Sequence, residues 1–153
     1  MTAEQDERQG AHMCTGGSEE IRRRLCMTLP AADQSVWLAR QATRVVLTAW
    51  QLASVEENAV LIVSELATNA VRHAEGTDLI ALDLVAAPTW LRIEVHDTDR
   101  RWPQPRIPDD FDESGFGFVL VDALAGKWGV RDVEGGKAVW AELATSGGSE
   151  RRR

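Results

Sequence analysis

The stretch Ser64-Glu65-Leu66-Ala67-Thr68-Asn69-Ala70-Val71-Arg72-His73-Ala74 sets three polar side chains, Glu65, Asn69 and His73, at four-residue intervals. At about 100° of rotation per residue, a helix through it gathers Ala59, Ile62, Leu66 and Ala70 in one arc, with Glu65 and Asn69 along the edge and His73 inside. A carboxylate, an amide and an imidazole turned toward an interior need partners. A protein network or a bound ligand with its metal meets that need equally well.

Outward from this helix, Ser54 stands before Val55 with Glu57 three residues on, a capping-box arrangement that predicts a start there and a run to about Ala74, where Glu75 and Gly76 stop it. Upstream, Arg24 to Leu29 reads as a strand ending at Pro30. Ser35 then caps a helix whose apolar positions Val36, Ala39, Val46 and Trp50 recur at helical spacing until near Gln51. Downstream, Leu79 to Val85 and Trp90 to His96 predict an antiparallel hairpin through Ala86-Ala87-Pro88-Thr89, with Leu91, Ile93 and Val95 inward. Arg100 to Ser114 has three prolines and the acidic positions Asp109, Asp110 and Asp112 but no periodicity, which predicts a long loop. Gly115-Phe116-Gly117 then opens a short apolar helix, Phe118 to Ala125. Lys127 to Arg131 and Lys137 to Leu143 form a last hairpin across Glu134-Gly135-Gly136. The order β-α-α-β-β-loop-α-β-β predicts an α+β two-layer sandwich, a mixed, mostly antiparallel sheet with helices on one face.

The chain of 153 residues, 44% hydrophobic, suits one domain over residues 18–145, between a polar leader at 1–17 and a Ser, Gly and Arg tail at 146–153, both expected to be disordered. Its 24 Asp and Glu against 17 Lys and Arg leave a net charge of −7, which argues against a phosphate-backbone surface and so against direct nucleic-acid binding. Cys14 and Cys26 fit neither a zinc pattern nor a disulfide scaffold, which points to a reducing cytoplasm. No apolar run approaches the roughly 18 residues that span a bilayer, so a membrane is not an expected partner.

Several positions can carry chemistry. Asp97 continues the Leu91, Ile93, Val95 alternation, so its carboxylate is expected on the buried side, either capping the Asp97-Thr98-Asp99 turn or accepting from a ligand's exocyclic amine. Gly115-Phe116-Gly117 leads into a helix, where backbone N–H groups and the helix dipole suit phosphate oxygens. It is also a common tight turn, and it lacks the Gly-Lys-Ser/Thr of a Walker loop. Asn69 offers an amide oxygen of the kind Mg²⁺ accepts, and Glu65 one turn away can deprotonate a hydroxyl; the pair could equally bond to each other. His73 and His96-Asp97 lack the further ligand spacing of a metal phosphohydrolase.

Taken in order, Glu65-x-x-x-Asn69, Asp97, Gly115-x-Gly117 and Gly135-Gly136-Lys137 resemble the N and glycine boxes of the GHKL (Bergerat-fold) ATP-binding domain of gyrase and histidine kinases, over roughly residues 22–143. The chain is most similar to the stand-alone anti-sigma-factor serine/threonine kinases of actinobacteria. The resemblance implies ATP and Mg²⁺ as ligands, Glu65 as catalytic base, and Asn69 holding the metal against the phosphates. It implies that Asp97 reads the adenine amine, with His73 and Asp99 among the nucleotide contacts, and that Gly115, Phe116, Gly117, Phe118 and Val119 wrap the phosphates. It further implies phosphorylation of an anti-sigma-factor antagonist, sequestration of a sigma factor, and a possible homodimer.

Two positions depart from the family pattern. Asp99 replaces the glycine of the first glycine box, and Ala138 is read as replacing a threonine of the last, which suggests an alternative: a non-catalytic partner-binding module with weak or lost nucleotide binding. The kinase reading requires the middle of the Glu65 helix, the strand tip at Asp97 and the glycine turn at Gly115 to line one hollow.

Overall fold

The computed structural model describes residues 20–72, 78–97 and 116–145. Strand β1 (Arg23–Pro30) is followed by helices α1 (Asp33–Ala49) and α2 (Ala53–Arg72), the hairpin β2 (Leu79–Ala86) and β3 (Trp90–Asp97), helix α3 (Phe116–Leu124), and the hairpin β4 (Lys127–Val133) and β5 (Gly136–Ala144). The leader 1–17, the tail 146–153, Cys14, Trp102 and the expected loop over 100–114 lie outside the described residues.

Alternation along each strand decides what meets the helices. Leu82, Val95 and Val139 are partners across β2, β3 and β5, as are Leu84, Ile93 and Ala141, and all six are buried. Cross-strand partners share a face, so these rows form one continuous apolar floor. Strand order is β1-β2-β3-β5-β4. Every described pairing is antiparallel. The return from β3 through α3 therefore skips a place and leaves β4 at the edge. Gly135, at φ +81°, makes the β4–β5 turn with Glu134, and Gly136 already pairs with Val133.

Helix α2 lies on this floor and carries the buried stripe Val55, Ala59, Ile62, Val63, Leu66, Ala67 and Ala70. Helix α1 packs chiefly on α2 through Ser35, Ala39, Thr43 and Leu47. These are mostly small residues that allow close approach, with the two hydroxyls satisfied locally: Thr43 donates to the Ala39 carbonyl at 2.7 Å and Ser35 to that of Pro30. Ser35 is therefore not the cap. Helix α1 starts at Asp33, and Ser35 is turned inward within its first turn. Ser54 likewise falls inside α2, which starts at Ala53, so the expected capping box is displaced into the first turn. Helix α3 begins at Phe116 rather than Phe118 and takes Gly117 with it. No helix among the described residues is long and apolar enough to cross a membrane.

The opposite sheet face is charged yet closed. Asp83, Arg92, Glu94 and Glu142 are all buried there. Arg24 donates to Asp83 at 2.7 and 3.1 Å, Arg131 and His96 both reach Glu94 Oε1, and Arg92 stacks 4.7 Å from the Trp140 ring centre.

Candidate functional site

Helix α2 brings Glu65 and Asn69 to the flank of its buried stripe, both half-buried beside Leu66 and Ala70. Asn69 Nδ2 is buried and has no hydrogen-bond partner among the described residues. An orphaned buried amide is costly in a native fold and suits a site that a ligand completes. The amide can donate to a phosphate oxygen or, turned by 180°, offer its oxygen to a cation's hydration shell. His73 lies outside the described residues, and no group of three or more His, Cys, Asp or Glu among those described could hold a metal by itself. A metal here would lean on Asn69 together with its own waters and a phosphate.

Asp97 ends β3 on the helix-facing side, in line with Leu91, Ile93 and Val95, as the alternation requires. Its carboxylate is engaged. Lys137, directly opposite on β5, donates from Nζ to Asp97 Oδ1 at 3.0 Å, and both side chains are only 5% exposed. Burying either charge alone would be expensive, so each needs the other.

This pairing corrects the reading of Ala138. Ala138 is the partner of His96 and faces the charged side of the sheet, whereas Lys137 shares the inner face with Asp97. The residue standing where a base-contacting hydroxyl was expected is thus a lysine one position earlier. Its signal was in the sequence: Lys137, Val139, Ala141 and Leu143 alternate, so the lysine shares their inward row.

Of the glycine-rich turn, Gly115 lies outside the described residues, as do Thr98 and Asp99. Phe116, Gly117, Phe118 and Val119 form the first turn of α3, and Val119 is exposed. The first four N–H groups of a helix have no partner within it and can meet an anion. Helix α3 packs against α2 and is tied to β4 by Trp128, which donates from Nε1 to Asp122 at 2.9 Å. Helix α2 therefore contacts both β3 and α3, the elements that carry the other two parts of the site.

Comparison with known proteins agrees with this architecture. No curated protein matches the chain. A solved structure of the RsbU and RsbW domains of Rv1364c from Mycobacterium tuberculosis is similar in fold, with a TM-score of 0.58 and 21% identity over 79% of this chain. The match spans 32% of that longer chain. The model of the histidine kinase-like ATPase domain matches residues 29–143, three quarters of the sequence and every described element except part of β1 and the end of β5, and the chain belongs to that family.

Proposed function

We propose that the chain is an ATP-binding regulatory protein acting as a serine/threonine protein kinase, with an anti-sigma-factor antagonist as substrate and a sigma factor as the partner it sequesters. The observation that carries the nucleotide reading is the buried Asn69 Nδ2, without a partner among the described residues, one helical turn from a half-buried carboxylate on the helix that touches both β3 and α3. Family membership supports it.

In this reading Glu65 takes the proton of a serine or threonine hydroxyl as its oxygen bonds to the γ-phosphorus and the bond to the ADP oxygen breaks. Mg²⁺, when bound, supplies charge neutralisation on the phosphates. Asn69 orients that end of the ligand, and the N–H groups at the start of α3 stabilise negative charge on the transferred group. Glu65→Ala is expected to keep nucleotide affinity within about twofold and to lower phosphate transfer to the antagonist by about 10²-fold or more, the usual scale for a lost base. Calorimetry and transfer from γ-labelled ATP read the two quantities. Undiminished transfer would remove Glu65 from the chemistry.

The Lys137–Asp97 ion pair favours a second reading, a partner-binding module without catalysis, because it fits a base amine poorly. The two diverge on phosphate transfer to the antagonist, which the module lacks; a module that has lost nucleotide altogether also gives neither heat nor thermal shift with millimolar Mg·ATP.

A further inference from the structure

The inner-face row at the open end of the sheet reads Asp97 on β3, Lys137 on β5 and Asp132 on the edge strand β4, each directly opposite the next. Cross-strand neighbours in one row have Cβ atoms roughly 5 Å apart, and a lysine side chain is longer than that. Lys137 is therefore flanked in its row by two acidic residues, and its stem is long enough to turn toward either. In the structure it donates to Asp97 Oδ1 at 3.0 Å, with both side chains almost wholly enclosed. Asp132, by contrast, is exposed at the sheet edge. The packing of Trp128 and Val130 against the core, four and two residues before it on the same strand, fixes its row.

Under the nucleotide reading, Asp97 must accept a hydrogen bond from a neutral exocyclic amine. Here that acceptor already holds a charged donor, and charge-assisted hydrogen bonds are roughly twice as strong as neutral ones. A base and the ammonium compete for the same oxygen atoms. We propose that Lys137 sets nucleotide affinity as an internal competitor. It holds Asp97 in the ligand-free protein and moves toward Asp132 when a purine with an exocyclic amine takes its place. The inference rests on Asp97 being the base acceptor. Lys137 limits affinity, and Asp132 receives the displaced cation. Weak binding is then a property of this chain's own side chains, adjustable without altering the contacts to the phosphates. Lys137 acts through Asp97 and is a positioning residue.

Isothermal titration with Mg·ATP on the full chain tests this in wild type, Lys137→Thr, Lys137→Met and Asp132→Asn. Removing the competitor is expected to lower Kd by about tenfold, and removing the receiving carboxylate to raise it about threefold or more. Lys137→Met keeps the aliphatic stem and serves if the threonine variant does not fold, and Asp132→Asn lies at an exposed position. A merely structural Lys137 would lower the ligand-free melting temperature and leave Kd where it was. Equal or weaker affinity in the lysine variants, or unchanged affinity in Asp132→Asn, overturns the proposal while the nucleotide reading stands. Absence of heat at millimolar Mg·ATP in wild type and lysine variants alike overturns both.

Discussion

Arg92 sits between two buried carboxylates that the fold treats in opposite ways. Its Nε lies 3.2 Å from Glu94 Oε2, and its Nη1 lies 3.9 Å from Glu142 Oε1, beyond hydrogen-bond reach. Burial pushes the Glu94 carboxyl up, but the hydrogen bond from His96 and the charges of Arg131 and Arg92 outweigh it and hold the group at about 2. Burial pushes Glu142 up as well, and the attraction of Arg92 and Lys127 does not overcome it. The signs follow. Glu94 has a folded value below its unfolded one, so it stabilises the protein above the ordinary carboxylate range, on the order of 3 kcal/mol, and that contribution is lost as pH falls from about 4.5 to about 2. Glu142 does the reverse and weakens the fold at neutral pH. Urea unfolding is expected to show Glu94→Gln less stable than wild type at pH 7, with the gap closing toward pH 3. Glu142→Gln is expected to be more stable at pH 7, with that gain fading through the carboxylate range. A pH-independent difference in the Glu94 variant would mean its ion pairs do not set its ionisation.

Edge strand β4 depends on a glycine for its fit. Gly129 is opposite Trp140, and a Cβ placed on it would stand 2.8 Å from the indole ring and its fused edge within 3.1 Å. The indole covers that backbone while Arg92 stacks on its ring. Gly129→Ala must push the ring aside, with an expected loss of about 1 to 3 kcal/mol of unfolding free energy, the range for overpacking. Circular dichroism in urea would show it as a lower midpoint; an unchanged midpoint would mean that the indole relaxes freely. The hairpins and helices were legible because alternation and helical spacing run unbroken through residues such as Leu91 to Val95 and Ala59 to Ala70. The helix starts were less so. Ser35 and Ser54 carry the chemistry of caps, yet the Pro30 carbonyl took the Ser35 hydroxyl and both helices opened before their serines. Side-chain propensity ranks candidates for a cap, while the path of the incoming chain chooses among them.

Across the fold, the placements legible in the sequence for the candidate site were those fixed by local period: Glu65 and Asn69 by the helix, the inward aim of Asp97 by its strand. What was hidden was a pairing across 40 residues, Lys137 on Asp97, since β5 lies beside β3 only because β4 is passed over to the edge. The outer lattice of Asp83, Arg92, Glu94 and Glu142 was hidden for the same reason, its members coming from three strands that neither length nor composition aligns. Net charge bears on the ligand in the same global way. A protein of −7 repels a free nucleoside triphosphate, and Mg²⁺ removes two of the ligand's charges before they meet. Binding to the native state alone adds RT ln(1 + [L]/Kd), about 1.4 kcal/mol at ten times Kd, which for a domain of this size raises the melting temperature by roughly 5 °C. Scanning calorimetry with Mg·ATP at that ratio is expected to show such a rise, and excess EDTA at the same ATP concentration is expected to cut it by more than half. An equal rise with and without the metal would separate Asn69 from any cation and leave its amide to the phosphate oxygens alone.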